Sequence, residues 1–127
     1  MEAKDPITCH ILDTTAGCPA MGVRVRLEGG SSSAYVFTSS TDEDGRITVW
    51  PPRSSDPGRV PAHTLHHVLG EMDGASTWTL RFDTAGYFGD RNTFFPEAVV
   101  VFRVEKGQHY HVPLLFSPYS YTTYRGS

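Results

Sequence analysis

Cysteine is scarce: Cys9 and Cys18 are the only two in 127 residues. Two thiols cannot staple a disulfide scaffold, so a reduced pair in an intracellular chain, cytoplasmic or peroxisomal, is the expectation. No apolar run approaches the roughly 20 residues that a membrane-crossing helix needs, and no membrane partner is expected. The opening residues, Met1 to Pro6, lack a basic segment followed by an apolar run, so no cleaved secretory leader is expected. The last three residues, Arg125-Gly126-Ser127, are not the C-terminal peroxisomal tripeptide. Eleven basic residues stand against fourteen acidic ones, a net charge of -3, and the basic ones are scattered. That distribution excludes the basic footprint of a nucleic-acid binder. A Gly-x-Ser-x-Gly elbow and a phosphate-cradling glycine loop are also missing.

What is present reads as one mostly β domain spanning 1–127. Seven Phe, six Tyr and two Trp supply material for a core, and a chain of this length can bury roughly two thirds of its unfolded surface. Ile7 to Leu12 is a β-rich run that stops at Asp13. Val23, Val25 and Leu27 alternate with Arg24 and Arg26, which is the period of a half-exposed strand. Further strands are expected over 34–40, 46–50, 77–82, 98–104, 109–116 and 119–124, with Pro51 and Pro52 closing the one that starts at Arg46. Asp83 is placed to cap the one short helix expected, over 83–88. Residues 53–70, rich in proline and histidine, read as a long surface loop. Seven to eight short strands with little helix point to an antiparallel β-sandwich.

Histidine is the informative excess, with six in the chain. His109 and His111 sit at i and i+2, so a strand points both to one face. His10 shares its strand face with Leu12, while Cys9 and Ile11 take the other. Imidazole can accept and return a proton near neutral pH, although a histidine between apolar neighbours is more often a hydrogen-bonded structural residue. Arg46 follows an Asp-Gly turn and is either a solvated hairpin arginine or a planar cation that orients a carbonyl-rich ring. Cys9 or Cys18 beside a histidine could make a thiol nucleophile, but buried inert cysteine is the commoner outcome. His63, His66 and His67 invite a zinc reading, yet no cysteine pair or His-Glu-x-x-His accompanies them, so no metal is expected.

Three segments carry a resemblance. Thr8-Cys9-His10-Ile11-Leu12-Asp13, followed by Gly17-Cys18-Pro19-Ala20, resembles the opening motif of the 5-hydroxyisourate hydrolases, the transthyretin-like proteins. Thr41-Asp42-Glu43-Asp44-Gly45-Arg46 is similar to their second motif. The stretch from His109 through Leu115 and Ser117-Pro118 to Tyr124-Arg125-Gly126-Ser127 is similar to their C-terminal signature, and Phe94-Phe95-Pro96-Glu97 also fits. Similarity runs over nearly the whole chain. The departures are the longer loop at 53–70 and the brief segment at 89–93.

The resemblance implies a transthyretin-like β-sandwich assembled as a homotetramer, a dimer of dimers, with active sites in a channel between dimers. It implies a cofactor-independent hydrolase of purine catabolism that converts 5-hydroxyisourate to 2-oxo-4-hydroxy-4-carboxy-5-ureidoimidazoline. His10, Arg46, His111 and Ser127 match the catalytic positions, and Tyr124, Arg125 and Gly126 those that bind substrate. Either His10 or His111 could be the general base, with Arg46 facing the developing negative charge. The competing reading is a carrier of the transthyretin type, which holds thyroid hormone in the equivalent channel. A third is a structural sandwich with metal-binding loop histidines.

Overall fold

Alternation decides which face each strand buries. In β3 (Arg24–Gly29) Val25 and Leu27 turn inward while Arg24 and Arg26 stay exposed. In β6 (Ser76–Phe82) Trp78, Leu80 and Phe82 are buried and Thr77 is exposed. β1 (Ile7–Asp13) buries Ile7, Cys9 and Ile11 completely and leaves His10 and Leu12 half-buried on the opposite face. A computed structural model of the chain describes residues 4–29, 35–51 and 64–127. Its other strands are β2 (Cys18–Pro19), β4 (Tyr35–Ser40), β5 (Arg46–Ile47), β7 (Ala98–Val104), β8 (Tyr110–Ser117) and β9 (Ser120–Thr123).

These strands form two sheets. One runs β2-β1-β8-β9 with β5 also paired to β1, and the other runs β4-β3-β6-β7. Their inner faces meet over Trp78, Phe37, Phe82, Phe116 and the aliphatic residues between them. The expected sandwich is therefore present, and eight of the nine strands among the described residues fall where the sequence places them. β2 is the exception, because two residues carry no period. One pairing departs from the antiparallel expectation: β1 and β8 run parallel, in register from Ile7↔Tyr110 to Asp13↔Phe116. Strands about a hundred residues apart are free to pair parallel, since the rest of the sandwich serves as the crossover that such a pair requires.

The strand expected over 46–50 contracts to Arg46–Ile47. Beyond it the chain turns so that Trp50 is buried and its indole N–H donates to the carbonyl of Ile7 at 2.9 Å. Among the described residues two short α-helices and a 3-10 turn (Asp90–Asn92) are found where one helix is expected. α2 (Thr84–Phe88) has the anticipated cap, with Gly86 N–H donating to Asp83 Oδ1 at 2.9 Å. α1 (Leu65–Gly70) lies in the stretch read as loop. Leu65, Val68 and Leu69 make a buried i, i+3, i+4 stripe, and Thr64 caps the helix by accepting from His67 N–H at 3.0 Å. A helix of 6 residues, under two turns, is too short to stand out from proline-rich surroundings. The remainder of that stretch, including His63, lies outside the described residues.

The outer face of the four-stranded sheet sets Arg26 directly opposite Arg81. Glu28 separates them, with 3.0 Å to Arg26 Nε and 2.7 Å to Arg81 Nε, and Glu97 holds Arg81 Nη1 at 2.8 Å. Like charges placed opposite each other repel, and the two carboxylates offset that here. The inward positions carry most of the stability. Leu80→Ala is expected to cost about 2–5 kcal/mol, whereas its neighbour Thr79→Ala should stay within about 0.5 kcal/mol. Urea denaturation of both variants checks the assignment, and similar losses at the two positions would contradict it.

Candidate active site

The outward face of the five-stranded sheet is built by registration. Parallel pairing sets Thr8 beside His111 and His10 beside Pro113, while β5 sets Arg46 against the other flank of His10. The His10 and His111 ring centroids are 6.4 Å apart. Both histidines occupy the same outer face as Thr8, because i and i+2 share a side of a strand.

Arg46 is delivered by a tight turn. Asp42 Oδ1 accepts from Asp44 N–H and Arg46 N–H, each at 2.9 Å, and Asp42 N–H donates to the Arg46 carbonyl at 3.0 Å. Gly45 adopts φ +75° and lies against the backbone carbonyl of Ile11, where a Cβ would collide. Both conditions select glycine. The turn also fixes His10, whose Nε2 lies 3.0 Å from the Asp44 carbonyl oxygen. A carbonyl can only accept, so His10 Nε2 carries the hydrogen and its Nδ1 holds the lone pair when the ring is neutral.

His111 is engaged at its other nitrogen. Nδ1 is hydrogen-bonded to Thr8 Oγ1 at 2.8 Å, which leaves Nε2 for a ligand. Burial pushes the His111 pKa below the ordinary imidazole value, and the proximity of Arg46, His10 and Lys4 pushes it further in the same direction. A neutral imidazole near pH 7 follows. The C-terminal segment returns to this residue. Gly126 N–H donates to the His111 carbonyl at 2.8 Å in an antiparallel bridge. A Cβ on Gly126 would stand 2.7 Å from His111 Cδ2, so the contact admits only hydrogen there.

A cleft of about 290 Å³ opens over these groups, lined by Thr8, Arg46, His111 and Ser127, with Lys4 and His109 at its sides. His10 stands next to it through Arg46 and His111. The expected catalytic set, His10, Arg46, His111 and Ser127, is thus brought together. Tyr124 and Arg125 are placed differently. They line a second, more apolar cleft of about 360 Å³ shared with Val100, Phe102 and Tyr110. Arg125 lies over the Tyr110 ring, 4.7 Å from its centroid. The tetrapeptide is therefore docked, with Tyr124 and Arg125 on one cleft, Ser127 on the other, and Gly126 bridged to His111, which lines both. Thr8 and Lys4 are cleft residues that the histidine-led reading passes over. The position of Thr8 two residues before His10 was the available signal for it.

The thiol alternative finds no support in the placement of either cysteine. Cys9 points into the core, where burial raises its pKa to about 12, and Cys18 is exposed on the short β2. Cys18 pairs with Asp13, at the opposite end of β1 from Thr8. Among the described residues no group of three or more His, Cys, Asp or Glu is arranged to hold a metal ion.

Comparison with known proteins places this geometry. A mouse (Mus musculus) protein named 5-hydroxyisourate hydrolase is 38% identical over 132 residues, covering 98% of this chain and 97% of that one. The solved structure of 5-hydroxyisourate hydrolase from Klebsiella pneumoniae matches with a TM-score of 0.69 at 27% identity, over 97% of this chain and all of that one. Sea bream transthyretin, solved in complex with thyroxine, matches with a TM-score of 0.69 at 26% identity, over 96% of this chain and 95% of that one. The family model described as HIUase/Transthyretin matches residues 7–126. Both sheets and the cleft residues Thr8, Arg46, His109, Tyr110 and His111 fall inside that match, and the chain belongs to the HIUase/Transthyretin family.

Proposed function

We propose that this chain is a 5-hydroxyisourate hydrolase whose chemistry is carried by His111, His10 and Arg46. The observation that carries the reading is their convergence: a neutral imidazole with a free Nε2 and a guanidinium on one open cleft, with a second imidazole immediately beside them. Ring opening by water needs a base for the proton of water and positive charge where oxygen becomes negative. His111 suits the first role, because its lowered pKa keeps it unprotonated at neutral pH. Arg46 suits the second. Water adds to the ring carbonyl carbon as its proton passes to His111 Nε2. The carbon–nitrogen bond then breaks as the carbonyl re-forms. The leaving nitrogen takes a proton from an imidazolium, and the product is 2-oxo-4-hydroxy-4-carboxy-5-ureidoimidazoline. Ser127 holds water or substrate through its hydroxyl.

The proposal includes a homotetramer. Leu12 and Leu115 are register partners on the same outward face as the cleft. Apolar side chains there gain from a facing partner sheet, consistent with a site set between dimers. The carrier reading is favoured by the likeness to thyroxine-bound transthyretin and by the apolar character of the second cleft. A carrier site is lined mainly by apolar groups with few polar ones. An imidazole and a guanidinium on one cleft, with a second imidazole beside them, fit hydrolysis better.

His10→Ala, Arg46→Ala and His111→Ala are each expected to lower turnover at least about tenfold, a conservative share of the 10²–10⁴ that acid–base catalysis supplies. The assay generates 5-hydroxyisourate with urate oxidase and follows its ultraviolet decay. Wild-type decay no faster than the blank would remove the hydrolase reading. The acid limb of kcat/KM should lie below the ordinary histidine value of about 6.5. Lys4→Ala should move that limb upward, because a positive charge opposing protonation of His111 is lost. Light scattering on the eluting protein should give four times the mass of one chain, and a monomer would contradict the assembly.

A further inference from the structure

We infer that Thr8 is a positioning residue for His111: its side-chain oxygen accepts a hydrogen bond from Nδ1–H and so holds the ring in the tautomer whose Nε2 carries the lone pair. The direction assigned to this bond rests on the hydrolase reading, in which Nε2 is the base, whereas its spectroscopic test needs no substrate. Distance alone leaves the direction of the bond open, since a hydroxyl both donates and accepts. The chemistry closes it. Nδ1 is occupied by Thr8 at 2.8 Å, so Nε2 is the nitrogen that can meet water. Nε2 is basic only when the hydrogen sits on Nδ1, and Thr8 must then accept.

That arrangement also survives the reaction. When Nε2 takes the proton, the imidazolium keeps Nδ1–H, and its bond to Thr8 strengthens because the donor is now charged. The reverse bond, from hydroxyl to a Nδ1 lone pair, would break on protonation. Thr8 is well placed to act as a fixed acceptor. It lies on β1 between β5 and β8, its neighbours Ile7 and Cys9 are fully buried, and it is itself only 8% exposed. Its β-branched side chain has few rotamers to lose. The two imidazoles are consequently held in opposite tautomers: the Asp44 carbonyl sets His10 with hydrogen on Nε2, and Thr8 sets His111 with hydrogen on Nδ1.

Two-bond proton–nitrogen correlation spectra of protein labelled with ¹⁵N-histidine, recorded above the titration range, read each tautomer without any substrate. His111 should show a protonated Nδ1 and an unprotonated Nε2, and His10 the opposite. Thr8→Ser should keep the His111 pattern. Thr8→Val, close in shape but without the acceptor, should shift it toward the Nε2–H form while leaving the His10 signals in place. In the decay assay Thr8→Val should lose about tenfold or more in kcat, part of the general-base contribution, with KM changed less and with Thr8→Ser restoring most of the rate. A wild-type His111 protonated on Nε2, or a valine variant that keeps the Nδ1–H form, would overturn the inference even in an active hydrolase. An inactive wild type with the expected spectra would instead count against the hydrolase reading alone.

Discussion

The parallel ladder between β1 and β8 is the constraint on which the rest depends. It joins segments about a hundred residues apart and aligns seven consecutive residue pairs. A slip of one position would turn Thr8 and His10 inward and carry Cys9 and Ile11 to the surface, because side chains alternate along a strand. The core pays heavily for such a slip, so hydrophobic burial on the inner face enforces polar registration on the outer one. The precision of the cleft is in this sense a by-product of packing. Ile7, Ile11 and Leu114, fully buried on the inner face, hold the register that sets the imidazoles on the outer one.

Around that ladder, backbone groups do much of the orienting. The Asp42–Arg46 turn presents a guanidinium at one end and a carbonyl to His10 from its middle. The C-terminal bridge holds Gly126 against the His111 backbone. Each imidazole is thereby anchored by a neighbour belonging to a different strand or turn. Such anchoring lowers the entropy cost of bringing catalytic groups into line, and it does so with short elements rather than a long lid.

Much of this was legible in the sequence, for reasons that can be named. Period-two alternation at Val23–Leu27 and Trp78–Phe82 marks strands whatever their partners. Asp83 announces its helix through the capping chemistry of a short acidic side chain. What alternation cannot reveal is partnership. Nothing in the residues of β1 states that it lies parallel to β8, and α1 and β2 are too short to impose a period of their own. The site was legible in a different way. His10, Arg46 and His111 are individually unremarkable on a strand or in a turn, and only the family motifs grouped them. Tyr124 and Arg125 belong to the same motif as Ser127, yet they line the neighbouring cleft. Thr8 went unnoticed because a threonine in a strand has an ordinary explanation in β-propensity.

The charge lattice of Arg26, Glu28, Arg81 and Glu97 lies on the four-stranded sheet, with the whole hydrophobic core between it and the chemical face. Perturbations at well-separated positions combine nearly independently. The molecule thus offers a back surface on which thermal tolerance can be adjusted, by selection or by an engineer, with little interference in turnover. Enzymes whose stabilising ion pairs crowd the reacting groups lack that freedom.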